Sequence, residues 1–239
     1  MKSKIEQKLD QALLPLAEEG LNIFSCARLE EISEDLQLAV KSLSVAPKNT
    51  LRYRSIGVLA AGGTQFWSRL KGPVRADDHP VDNKSRQLLK DFHENLFPQE
   101  EFLVIYPDPQ FLFPLQLLGR DLNISRPSFM GIDIHEKYGL WFSFRVVFLS
   151  TAELPRRIFS AFESPCLACK DQPCVNVCPV KAGGPTFKIS VCADYRLSQD
   201  SPCVDHCAAR KACPIGREHQ FSLDQIQYSM QLSADQRKD

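Results

Sequence analysis

Eight of the nine cysteines in this 239-residue chain fall between Cys166 and Cys213, and the first 165 residues hold only Cys26. That concentration limits what the last third can fold into. The segment is poor in large apolar side chains and is broken by Pro173, Gly183, Gly184, Pro185, Pro202 and Gly216, so it cannot bury enough surface to offset its own conformational entropy. Something other than hydrophobic burial has to organise it. The opening MKSKIEQKLDQ mixes charges where a secretion signal would carry its apolar stretch. A reducing, cytoplasmic setting is therefore expected, where disulfides give way to metal or redox chemistry.

The spacing of the cysteines sharpens this. CLACKDQPCVNVCP places Cys166, Cys169, Cys174 and Cys178 at gaps of two, four and three residues, with Pro179 directly after the last. A second, looser group holds Cys192, Cys203 and Cys207 and ends in Cys213 followed by Pro214. The first string resembles the bacterial [4Fe-4S] ferredoxin run C-x2-C-x2-C-x3-C-P, widened by two residues in the middle. In two-cluster ferredoxins the cysteine before the proline ligates the other cluster. The resemblance thus implies one cluster on Cys166, Cys169, Cys174 and Cys213 and another on Cys178, Cys192, Cys203 and Cys207. Eight metal-thiolate bonds would then do the organising that a core does elsewhere. Zinc on four thiolates is the alternative, although gaps of four, three and five residues do not make paired zinc knuckles. From Cys166 to Cys213 six basic residues outnumber four acidic ones, a small offset to the negative charge two such clusters would carry.

Over the whole chain 29 basic side chains balance 29 acidic ones, and no basic run appears, which argues against a nucleic-acid partner. With 44% apolar residues the composition is that of a globular protein rather than a disordered one. No stretch approaches the roughly 20 apolar residues that span a bilayer.

Residues 1–155 read as a mixed α/β domain, and 156–239 as a cysteine-rich module with a closing helix. Ile5, Leu9, Leu13 and Leu16 have helical spacing, with Pro15 near the end. Ser55 to Gly63 (SIGVLAAGG) reads as a strand buried on both faces. Leu88, Leu89, Phe92 and Leu96 mark one side of another helix, and Phe102 to Tyr106 (FLVIY) reads as a strand stopped by Pro107. From Gly139 to Ser150 a strand is predicted with one wholly apolar face, Leu140, Phe142, Phe144, Val146 and Phe148, and Trp141 and Arg145 on the other. A guanidinium among apolar neighbours must reach solvent, a carboxylate or a ligand. In the final segment from Phe221 to Asp239, Ser222 and Gln225 have capping-box spacing; this helix is expected to dock on the larger domain. Cys26 reads as a small buried hydrophobe.

GIDIHEKYGLWFSFR, Gly131 to Arg145, resembles the cobalamin-processing CblC family, which carries a comparable IH…G.WF..R stretch on a central strand of a nitroreductase-like fold. The weaker likeness of the KIEQKL opening and of the SIGVLA and LVIY strands extends it over most of residues 1–150. It implies an α+β protein, a nitroreductase-like α/β sandwich followed by a small ferredoxin-like iron-sulfur module. Arg145 would bind a polar or anionic cofactor group and Trp141 would form an apolar wall. His135 also matches, but Glu136 follows it where the family usually has proline; it reads either as a cofactor-side residue or as a strand-edge histidine. The order of parts is similar to that of epoxyqueuosine reductases and respiratory reductive dehalogenases, in which such clusters feed electrons to a corrin cobalt, although the helical-repeat tail of the former is lacking.

The resulting expectation is an oxidoreductase, cobalamin-dependent or cobalamin-reducing, with two [4Fe-4S] clusters relaying electrons to a cobalamin, or with less support a flavin. Its electrons would come from a ferredoxin, flavodoxin or reductase. The alternative is an electron carrier or docking protein without its own catalytic cofactor.

Overall fold

In the computed structural model the described residues are 3–43, 52–70 and 79–235. Ser3 opens helix α1 (Lys4–Glu18) with a full capping box: its hydroxyl accepts from the Glu6 N–H while the Glu6 carboxylate accepts from the Ser3 N–H. Pro15 sits inside this helix, and Leu9 and Leu16 are buried. Strand β1 (Ile23–Arg28) follows, then helix α2 (Glu34–Ser42), strand β2 (Ser55–Gly62) and the one-turn helix α3 (Gln65–Ser68). Helix α4 (Pro80–Leu96) starts with proline at its first position and buries Val81, Ser85, Leu89, Phe92 and His93, a stripe of helical period. Strand β3 (Phe102–Tyr106), helix α5 (Leu115–Asp121) and strand β4 (Phe142–Ser150) complete the sheet-bearing part.

The four strands lie in the order β1-β2-β4-β3. β1 and β2 are antiparallel, with Ile23 opposite Ala60 and Arg28 opposite Ser55. β3 and β4 are also antiparallel, with Phe102 opposite Ser150 and a bulge between Val104 and Tyr106. Every residue of β2 is buried, as expected for that strand. Ile56, Val58 and Leu59 at 0% exposure each contribute about 1.5–3 kcal/mol of burial.

Two sequence expectations need correction here. The strand predicted from Gly139 begins only at Phe142: Gly139 has a left-handed φ of 58° and exchanges both backbone hydrogen bonds with His135, and the Trp141 N–H turns back to the Tyr138 carbonyl. Nor is one face of the strand set apart as the apolar one. Val146, Val147, Phe148 and Leu149 are all fully buried, while Phe144 is only half-buried, because neighbours cover both sides of an interior strand.

By contacts the described residues group into two compact units. The first comprises 3–43, 52–70, 79–124 and 143–161, and the second 125–142 and 162–235. The sequence places a single boundary after residue 155; the contacts add 125–142 to the cysteine-rich part. In the second unit the short helices α6 (Pro173–Val177), α7 (Ile189–Leu197) and α8 (Ala208–Ala212) are followed by α9 (Leu223–Asp235). Its buried groups are small: Ile134, Leu140 and Cys213 in one, Trp141, Phe221 and Ile226 in the other. Through Ile226, α9 packs on Trp141. The capping box expected there does not form, since Ser222 Oγ and Gln225 Oε1 have no hydrogen-bond partner among the described residues; the helix starts instead with the Ile226 N–H on the Ser222 carbonyl. Positions 236–239 of the expected helix lie outside the described residues.

Candidate functional site

In the second unit the cysteines sort into two sets of four. Burial pushes the Cys174 thiol up in pKa, and the charges of Cys213, Cys166 and Cys169 add to it. Cys213 is raised in the same way, by burial and then by Cys166 and Cys169. Cys203 is raised by burial and then by Cys207, Cys178 and Cys192. Cys166, Cys169, Cys174 and Cys213 therefore share one neighbourhood, and Cys178, Cys192, Cys203 and Cys207 another. The second set lines a small cavity of about 40 Å³ whose other walls include Met130, Phe187 and Met230. All nine cysteines are free thiols. Among the described residues no group of three or more His, Cys, Asp or Glu side chains is arranged to hold a single metal ion.

Two short helices carry these sets. α6 begins with Cys174 as its second residue and is capped by Cys178; α8 is preceded by Cys207 and capped by Cys213. Each helix thus bears one thiol of either set at its two ends, and the two helices pack together. α7, which carries Cys192, has no buried residue at all, and Ile189 and Leu197 at its ends are exposed.

The loop that holds His135 touches the loop after Cys213 backbone to backbone. A Cβ on Gly139 would lie 2.1 Å from the Ile215 carbonyl oxygen, and one on Gly216 2.5 Å from the Tyr138 carbonyl group. Both glycines have positive φ, so residues with side chains are excluded on two counts. His135 is buried, with Nδ1 accepting the backbone N–H groups of Lys137 at 3.0 Å and Tyr138 at 3.3 Å. Those contacts favour the neutral imidazole with its proton on Nε2. Burial, then Lys137 and His219, lower its pKa to about 4.

Trp141 is fully buried. Its ring lies 5.6 Å from that of Phe221, and the Arg210 guanidinium stands 4.7 Å above it. Within the second unit it is packed against protein on these sides.

Arg145 belongs to the first unit, midway along β4. Its guanidinium lies 5.7 Å from the centre of the Phe66 ring. Two further groups sense its charge. Asp82, in the first turn of α4, is raised by burial, with Arg145, His79 and Arg86 pulling the other way; Tyr106, at the end of β3, is raised by burial, lowered by Arg145 and raised by Asp82. An acid, a phenol and a guanidinium thus share a partly dehydrated region. Sequence reasoning found Arg145 but missed Asp82 and Tyr106, whose burial no local pattern announces. Cys26, read as a small hydrophobe, is fully buried; its thiol donates to the Pro155 carbonyl and burial raises its pKa to about 12.

No protein-family model and no curated protein matches the sequence. Solved structures do match the fold. An epoxyqueuosine reductase from Bacillus subtilis aligns with a TM-score of 0.60 at 13% identity, covering 92% of this chain and 68% of its own. The fold is shared with epoxyqueuosine reductases. Another of these, solved with an epoxyqueuosine-modified tRNA-Tyr stem loop, gives a TM-score of 0.61 at 10% identity over 94% of this chain and 69% of that one. A catabolic reductive dehalogenase with bound 3-bromo-4-hydroxybenzoic acid gives 0.51 at 12% identity over 89% and 32%. The chain is accordingly a mixed α+β protein with a small antiparallel sheet. Among the described residues no helix is long and apolar enough to cross a membrane.

Proposed function

We propose that this chain is an iron-sulfur redox protein that passes single electrons through two [4Fe-4S] clusters to a corrinoid held by the sheet-bearing unit. The observation that carries the reading is the sorting of eight thiols into two sets of four, each drawing on cysteines from both sequence runs. That exchange is the one the ferredoxin resemblance implies. A cubane is ligated at separate corners and not at one point, so its thiols should surround a space, as the second set surrounds its cavity. When bound, the clusters store and release one electron each, and the corrinoid supplies the cobalt at which the substrate is reduced.

The chain's own residues have distinct tasks in this reading. Cys166, Cys169, Cys174 and Cys213 hold one cluster; Cys178, Cys192, Cys203 and Cys207 hold the other. The raised pKa values of Cys174, Cys203 and Cys213 resist thiolate formation in the metal-free protein, and a bound cation core reverses that preference. Met130, Phe187 and Met230 supply apolar wall beside the second set. On the first unit Arg145 binds a polar or anionic group of the cofactor. Asp82 shares the surroundings of that guanidinium, its pKa pushed up by burial and pulled down by Arg145. The corrinoid half of the reading rests on Arg145; substitution of Trp141 and His135, both engaged within their own unit, tests whether the cofactor reaches them. A ferredoxin, flavodoxin or flavoprotein reductase would supply the electrons. The even charge balance favours a small-molecule substrate over a nucleic acid.

The test is anoxic purification, metal analysis and titration with cobalamin. About eight irons with equal acid-labile sulfide are expected, together with a corrin spectral shift that Arg145→Ala abolishes. Stoichiometric zinc would overturn the cluster assignment. Clusters without corrin binding would point to the electron-carrier alternative, and a flavin spectrum would replace the corrinoid.

A further inference from the structure

Arg210 lies in the middle of α8, the helix that joins Cys207 of one thiol set to Cys213 of the other. Its side chain is fixed from three directions. Nε and Nη2 both donate to the Leu140 carbonyl, at 3.2 and 2.5 Å. The guanidinium carbon lies 4.7 Å from the centre of the Trp141 ring and 4.8 Å from that of Phe221, the two rings being inclined at 67° to one another. At its other end the same residue reaches the sulfur chemistry: the Arg210 backbone N–H donates to Cys207 Sγ at 3.4 Å.

We infer that Arg210 is a positioning residue that holds α8 so that its N–H stays aimed at Cys207 Sγ, and thereby sets the reduction potential of the cluster bound by Cys178, Cys192, Cys203 and Cys207. The inference rests on the cluster reading above. A hydrogen bond to a ligating sulfur is one of the ways a protein tunes such a cluster; donated positive character favours the reduced, more negative state. A five-residue helix has little stability of its own, so its direction depends on what grips it. The planar fork of Arg210 closes on one carbonyl and two ring faces at once, which a lysine ammonium cannot do. The charge of the guanidinium would act on either cluster through space, whereas the aimed N–H acts on the second set alone. That distinction makes the inference testable.

The measurement is a redox titration of the loaded, anoxic protein followed by electron paramagnetic resonance, with iron and sulfide determined on the same samples. Arg210→Lys keeps the charge and loses the fork. The expected result is full iron content, with the equilibrium constant for reducing one cluster lowered about tenfold, 59 mV for one electron, and the other cluster unmoved. Arg210→Met should lower the same cluster at least as far. Phe221→Leu removes one wall while leaving the arginine, and should move that cluster in the same direction by less. Wild-type potentials in Arg210→Lys would overturn the inference, because charge alone would then account for any change in Arg210→Met. If neither arginine variant loads iron, the Phe221→Leu potential decides, and an unmoved potential there also overturns it. Absence of clusters from the wild-type protein would instead sink the functional reading on which the inference depends.

Discussion

Strand β2 and helix α7 are nearly the same length and are built on opposite principles. All eight residues of β2 are buried, and none of the nine residues of α7 is. β2 is held by its neighbours in the sheet and by side chains such as Phe148, whose ring leaves no room for a Cβ at Gly57. α7 is tied to its unit through Cys192, Arg196 on the Met230 carbonyl and little apolar contact. The comparison shows one chain using two sources of order, burial in the first unit and, on the proposed reading, metal-thiolate bonds in the second.

The largest effect should come from removing the metal. Chelated, iron-free protein is expected to lose hydrogen-exchange protection across α6, α7 and α8 while β2 and β4 keep theirs. Equal loss in both units would dissolve the contrast. Next, Leu59→Ala in β2 should cost about 2–5 kcal/mol in chemical denaturation and leave iron content unchanged; a drop in iron would show that the two sources are not separate.

The third effect concerns pH. His135 in the folded chain titrates at about 4, below the ordinary histidine value near 6.5, so the folded state refuses a proton that the unfolded state accepts. Stability is then complete above about pH 6.5 and falls by about 2–4 kcal/mol as the pH drops toward 4. His135→Gln should flatten that slope in denaturation measured from pH 4 to 8. An unchanged slope would assign the acid sensitivity elsewhere.

Much of this was legible in the sequence. The leucine spacing of α1, the all-apolar run of β2 and the Leu88 to Leu96 stripe of α4 follow from local pattern, whereas the partition of the thiols that the proposal adopts came only from the ferredoxin resemblance. β1 escaped notice because IFSCAR is short, covered at every position but Arg28, and lacks alternation. The start of β4 was misplaced because Gly139 bends the chain for a tertiary reason, its contact with Ile215. Asp82 and Tyr106 were invisible because their burial comes from distant segments closing over them, and nothing in the sequence around Arg210 sets it apart from the other five basic residues between Cys166 and Cys213.

The way α6 and α8 each run from one thiol set to the other has a bearing on assembly. On the proposed cluster reading, a chain that loses one cubane would also loosen two ligands of the other, because both helices have a foot in either thiol set. Half-filled molecules would be short-lived, and a cell running short of iron would accumulate finished and empty copies with few between.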